Sequence, residues 1–269
     1  LIEPECLLTT KGNESFRNQF GLDIFKAKYR NWEAGINTWD DLAKRLIEVV
    51  IGKTLPFKIR NGIYLAIRDM KFIPAGRYLY YAGREAKFWN NCFAFIAEDT
   101  REGWADLGSH HFSALMSGGG CGTSYSRLRP SGAIIHKTGG FASGVVPLIS
   151  AMNEIGRNVT QGASRRSALY ASLNWKHGDI IAFITCKDWS DAVKAAKEAD
   201  VTYPAPMDMT NISVELDDEF FMVLEDKGHE LHDHAVKVFD LAFRNMLTSA
   251  EPGFSINLGE DERSVARNA

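Results

Sequence analysis

Cysteine is scarce in this chain: 269 residues contain four, Cys6, Cys92, Cys121 and Cys186. None makes a CxxC pair, and the wide spacing argues against a zinc site, so no metal ligands are assigned. Sparse cysteines without a secretion signal point to a reducing compartment, and a cytoplasmic location is expected. Each thiol is then either a small buried hydrophobe or a redox group. No run of 18 apolar residues occurs, which excludes a membrane-spanning helix. Basic charge is not in excess either. The net charge of -3 offers no surface for nucleic acid or an anionic membrane. The opening LIEPECLLTT has neither the basic stretch nor the apolar core of a signal peptide. It begins with Leu rather than Met, so further N-terminal sequence is expected. Internal repeats and low-complexity segments are also missing.

What is present is ordinary globular material, 45% hydrophobic, with enough apolar residues for a large core. The first 85 residues read as helical. Leu42, Leu46, Val49 and Val50 recur at helical spacing, as do Ile63, Ile67 and Met70. Thr38 or Asp40 is placed to cap the first of these helices, and Pro56 and Pro74 punctuate the region. From residue 92 the pattern changes to five short β-type runs: Cys92–Ala97, Cys121–Tyr125, Ala168–Asn174, Asn211–Leu216 and Gly253–Leu258. Four helical stretches separate them, at about Arg101–Ser117, Gly144–Val159, Asp217–Glu225 and His232–Thr248. The last is expected to bury Val236, Phe239, Phe243 and Met246. Alternating strands and helices predict βαβ units and a parallel sheet. Five such units are too few for a closed eight-stranded barrel, so an open sheet or half of something larger is expected.

Three blocks can carry chemistry. In SGGGCGTSYSRLRPSGA, Ser117–Ala133, three successive glycines allow close backbone approach. Arg127 and Arg129 alternate past a strand, one expected to reach a phosphate and the other to bond structurally. A tight helix-to-strand turn explains the glycines equally well. In NVTQGASRRSA, Asn158–Ala168, Gln161 can read a base edge and Arg165 and Arg166 offer planar forks for phosphate or stacking. A solvated surface loop is the plainer reading. In NNCFAFIAEDT, Asn90–Thr100, Cys92 opens a strand expected to be buried. Asp99 stands where that strand gives way to a helix, placed to cap the helix or hold a ribose hydroxyl.

As an ordered set these blocks resemble the large subunits of ribonucleotide reductases. PAGRYLYYAG at Pro74–Gly83 comes first, then NNCF, Asp99, SGGGCGTSYSRLRPSGA, QGASRRSA, NISVEL and EPGF at Glu251–Phe254. The resemblance covers roughly residues 70–269. It implies an α/β fold: an N-terminal helical region, residues 1–85, followed in 86–269 by the five-stranded parallel half of a ten-stranded α/β barrel. It further implies an Asn-x-Cys-x-Glu finger loop. The chain stops at Asn268-Ala269, one residue before the expected thiyl-radical cysteine. A split gene, a split intein or a processed fragment would each end so. The implied partner is a C-terminal half beginning with Cys-x-Glu.

The resemblance also implies roles. Cys92 matches the first redox cysteine and Asn268 the substrate-binding asparagine of the finger loop. Ala75, Gly76, Asn91, Gly120 and Arg165 fall on substrate-lining positions. Asp99, Arg129, Ile135, Gln161 and Arg165 fall on the allosteric specificity site for deoxynucleoside triphosphate or ATP effectors. Helices near 101–117 and 144–159 correspond to those that form a homodimer. Cys6, Cys121 and Cys186 are read as packing residues. The implied radical source is adenosylcobalamin, which the motif style favours, or else a radical-generating metal subunit, and the implied reductant is an external thiol. The competing reading is a non-catalytic nucleotide-binding regulatory module of the same origin.

Overall fold

A computed structural model describes residues 13, 15–136, 139–159 and 167–259. They fall into two compact units that divide between Asn91 and Cys92. The first is helical: α1 (Gln19–Ile24), α2 (Trp39–Leu46), α3 (Phe57–Arg68) and α4 (Gly76–Tyr81). Thr38 caps α2. Its hydroxyl accepts from the Asp41 amide at 3.2 Å, while the Asp41 carboxylate accepts from the Thr38 amide at 2.8 Å. Asp40 instead meets Lys44 at 2.7 Å and the Tyr64 hydroxyl at 2.5 Å. Leu42, Leu46 and Ile67 are buried around Phe25 and Trp39. Val50, expected on the same stripe, is exposed. The chain passes into a π-helical turn at Ile47–Ile51, and the wider winding rotates Val50 off the buried face.

The second unit is a five-stranded parallel sheet in the order β1 (Cys92–Ile96), β2 (Gly120–Ser124), β3 (Leu169–Asn174), β4 (Thr210–Asp217), β5 (Gly253–Asn257). All five expected strands are present within about one residue at each end. Helix α5 (Arg101–Met116) joins β1 to β2, and α6 (Val145–Asn158) lies between β2 and β3. Two helices, α7 (Ile180–Thr185) and α8 (Asp191–Ala199), link β3 to β4. Finally α9 (Asp218–Glu225) and α10 (His232–Ser249) link β4 to β5. The period-2 alternation sorts each strand into two faces. Ala171, Leu173, Ile212, Val214 and Leu216 bury with Leu148, Ile149, Phe183 and Phe220 in one helix-covered core. Trp175 lies in that core edge-on to Phe220, with ring centroids 5.2 Å apart.

On α10 the buried residues are Ala235, Val238 and Ala242, whereas Phe243 is 47% exposed. The expected stripe is therefore one position out. Small residues let this helix approach closely, and Phe239 rather than Phe243 stacks on Phe254 of β5 among the core residues. Among the described residues no helix is long and apolar enough to cross a membrane.

Candidate functional site

The other face of the sheet is mostly small and polar, with Ile96 and Tyr170 as its large residues. The register places Cys92 beside Gly120, Ile96 beside Ser124, Ser124 beside Ser172, Ser172 beside Ser213 and Glu215 beside Ser255. Cys92 is exposed on this face, so the expected burial of its strand does not hold. Its strand has a neighbour on one side among the described residues, and only Phe93 and Phe95 turn toward α5 and the other helices. Cys121 points the opposite way and is fully buried. Burial pushes its thiol up to about 12, and it does the same to Cys186. Both stay protonated near neutrality and fit the packing role expected for them.

The three glycines before Cys121 serve three different purposes. Gly118 adopts φ +75°, which suits glycine. A Cβ on Gly119 would lie 2.5 Å from the Phe93 ring. A Cβ on Gly120 would sit 3.9 Å from the Cys92 sulfur in ordinary contact, so this glycine keeps the space beside the thiol open.

Past the carboxyl ends of β1 and β2, two acids face two arginines. Arg129 Nε donates to Asp99 Oδ2 at 2.7 Å, and Arg127 Nη1 donates to Glu98 Oε1 at 3.2 Å. The arginines were expected to face opposite ways along a strand. They instead lie beyond the end of β2, in a turn that aims both at the Glu98-Asp99 segment. The cap of α5 is Thr100, whose hydroxyl accepts from the Gly103 amide at 2.9 Å, so Asp99 is not spent on capping. Asp99 and Arg129 are about one-third exposed (32% and 38%). Exposed pairs of this kind are worth about 0–1 kcal/mol. They can be exchanged for a ligand's hydroxyl and phosphate at little cost. The carboxyl edge of a parallel sheet is also where α/β folds bind ligands.

Sequence reasoning missed Glu215. It is 7% exposed and accepts hydrogen bonds from Ser124 (2.9 Å), Ser126 (2.8 Å) and Ser172 (2.5 Å), joining β2, β3 and β4 on the polar face. The available signal was a lone charge inside the strand pattern NISVEL.

The model of the ribonucleotide reductase barrel domain matches residues 90–248, more than half of the sequence. The chain belongs to the ribonucleotide reductase family. A vitamin B12-dependent ribonucleoside-diphosphate reductase of Mycobacterium tuberculosis is 31% identical over 163 residues, 60% of this chain and 22% of that protein. Its namesake from Thermoplasma acidophilum is 32% identical over 169 residues, 63% of this chain and 20% of that protein. The large subunit of the vaccinia virus ribonucleoside-diphosphate reductase is 30% identical over 126 residues, 46% of this chain and 16% of that protein. The aligned part thus spans about a fifth of the length of these relatives. Among solved structures, the alpha subunit of the Actinobacillus ureae class Id ribonucleotide reductase superposes with TM-score 0.71 at 11% identity. The match covers 89% of this chain and 40% of that one. At that identity the likeness concerns the fold: a helical N-terminal region followed by the parallel strands of the reductase barrel.

Within this chain the expected residues fall in several separate places. Cys92 and Gly120 are neighbours on the polar face, and Asp99 and Arg129 are in contact at its carboxyl edge. Ile135 follows Ile134, which bridges antiparallel to Phe141, and its amide donates to the Gly140 carbonyl at 3.0 Å. Ala75 and Gly76 open α4 in the helical unit, and Asn91 is that unit's exposed last residue. Gln161, Arg165 and Asn268 lie outside the described residues, as does Cys6.

Proposed function

We propose that this chain is the part of a ribonucleoside-diphosphate reductase that carries the first reducing thiol and the effector site. The carrying observation is the exposed Cys92 beside Gly120 on a small, polar sheet face whose carboxyl edge ends in the Asp99–Arg129 pair. In the overall reaction the 2′-hydroxyl of the ribose leaves as water and a hydrogen takes its place. Two thiols lose two hydrogens and become a disulfide, so atoms and electrons balance. Cys92 is one of those thiols. The second thiol and the hydrogen-abstracting cysteine are supplied by the part of the reductase that carries the Cys-x-Glu motif, with Asn268 binding substrate. Gly120 lines the substrate beside Cys92, and Ala75, Gly76 and Asn91 are assigned to substrate on the family resemblance alone. An external thiol reductant restores the pair.

Asp99 holds the effector ribose and Arg129 its phosphates, with Ile135, Gln161 and Arg165 completing the site and Arg165 also reaching the substrate. Helices α5 and α6 form the dimer contact, which would place the effector beside a subunit interface. The diphosphate substrate and adenosylcobalamin as radical source are taken from the B12-dependent relatives. The polar face beside Cys92 suits a sugar and not a corrin ring, so none of these residues holds the cofactor.

The test is reconstitution. The chain is combined with the part of the reductase that carries the Cys-x-Glu motif, adenosylcobalamin, a dithiol and a ribonucleoside diphosphate. Deoxyribonucleotide should form, and Cys92→Ser should abolish turnover while leaving deoxynucleoside triphosphate affinity unchanged. Folded components that bind deoxynucleotide but never turn over would overturn the catalytic reading in favour of a regulatory module.

A further inference from the structure

The segment that carries the two arginines has no strand ladder to hold it, because β2 ends at Ser124. It is held instead at Ser126, Leu128 and Ser131. Ser126 Oγ donates to Glu215 at 2.8 Å and accepts from the Asn174 amide at 2.9 Å. The Leu128 carbonyl meets His177 Nε2 at 2.7 Å. The Ser131 amide donates to both carboxylate oxygens of Asp179, at 3.0 and 3.1 Å. Residues 127 and 129, between these holds, are the ones that turn toward Glu98 and Asp99.

We propose that His177 and Asp179, in the turn between β3 and α7, are positioning residues that aim Arg127 and Arg129 at the phosphates of a bound nucleotide. The inference rests on the nucleotide-binding reading of the Asp99–Arg129 site and adds two residues that the reading does not use. The Asp179 amide donates to His177 Nδ1 at 3.0 Å, which leaves the proton on Nε2 and makes the ring a donor to the Leu128 carbonyl. Asp179 is 8% exposed, and the same carboxylate accepts from the Val145 amide at 3.0 Å, the first residue of α6. One buried carboxylate therefore ties the arginine segment to the start of α6.

Burying a carboxylate is costly unless its bonds are met, and here they are met by backbone amides of two separate segments. The approach is close enough to need glycine twice. A Cβ on Gly178 would lie 2.8 Å from Pro130, and one on Gly144 would lie 2.3 Å from Asp179 Oδ2. Gly144 also has φ +82°, a further reason for glycine there. The turn is thus moulded to the backbone on either side of Arg129. A guanidinium recognises phosphate through a directional fork, so its aim matters more than its presence.

Calorimetry on the full chain tests this with each of the four deoxynucleoside triphosphates and the matching monophosphates. Arg129→Ala should lose most triphosphate affinity. Asp179→Asn puts an amide NH2 against the Ser131 or Val145 N–H. It should weaken triphosphate binding by about tenfold and monophosphate binding by less than about twofold, because fewer phosphate contacts depend on the aim. His177→Ala should act likewise, and His177→Gln, which keeps a side-chain N–H for the Leu128 carbonyl, should recover most of the loss. If Asp179→Asn does not fold, the two His177 variants decide alone. Folded variants that bind triphosphate as the wild type does, or that lose both ligands by the same factor, would overturn the positioning role. A wild-type chain that binds no nucleotide while folded would remove the nucleotide-binding reading itself.

Discussion

Asp208 shows how much one side chain can be asked to hold. It is 4% exposed and takes both Nη atoms of Arg157, at 2.6 and 3.1 Å, together with Lys197 at 2.9 Å. Burial alone would raise its pKa, but the hydrogen bonds from Arg157 and Lys197 outweigh it and hold the carboxyl at about 2. The folded value lies below the unfolded value of about 3.9, so the contribution is fully present above about pH 4 and disappears as pH falls toward 2. Asp208→Asn is expected to destabilise the protein by roughly 2 kcal/mol at pH 7 and by much less near pH 2, as measured by urea unfolding across that range. Equal losses at both pH values would show that the carboxylate charge is not what matters. Legibility at this scale was uneven. Cys92, Asp99 and Arg129 stood out because thiol, acid and guanidinium flank strand ends. His177, Asp179 and Glu215 did not, because their role is to grip backbone and hydroxyl groups brought together from distant stretches of chain.

Among the elements, the strands were the readable part. Most have apolar residues on alternate positions facing a helix layer, so the period of two is visible in the bare sequence, with β2 as the exception because only Cys121 marks its helix-facing side. Helices α7 and α8 were missed for opposite reasons. The first, IIAFIT, is nearly all apolar and shows no period, while DAVKAAKEA has no buried residue at all. The α10 stripe was misjudged because bulk was taken as the mark of burial, whereas close packing selected alanines. The glycine run allows a test of structure against function within a single turn. Gly119→Ala drives a methyl group into Phe93 and should cost about 1–3 kcal/mol in thermal or urea unfolding. Gly120→Ala should leave stability within about 0.5 kcal/mol, since its contacts are ordinary ones, yet crowd the space beside Cys92. Equal destabilisation by the two substitutions would contradict this division of roles.

For the whole molecule, the sheet has two ends. Among the described residues β1 pairs with β2 alone and β5 with β4 alone, and unpaired strand edges invite another strand. Hydrogen exchange on the chain should therefore be faster in β1 and β5 than in β3. Equal protection of all five strands would show that the outer edges are covered. The α/β class, the parallel sheet and its five strands were legible from the alternation of patterns, and the family from the order of the motifs. The spatial order of the strands was not, because βαβ units can be added on either side of a growing sheet. Here they were added on one side only, so spatial order and chain order coincide. Among the described residues every strand pair is between successive strands, and none of these strands has to wait for a later one to open a gap. On the ribosome each new strand can zip onto the one before it as it emerges, without threading or rearrangement. The sheet can grow like a row of tiles laid from the Cys92 end.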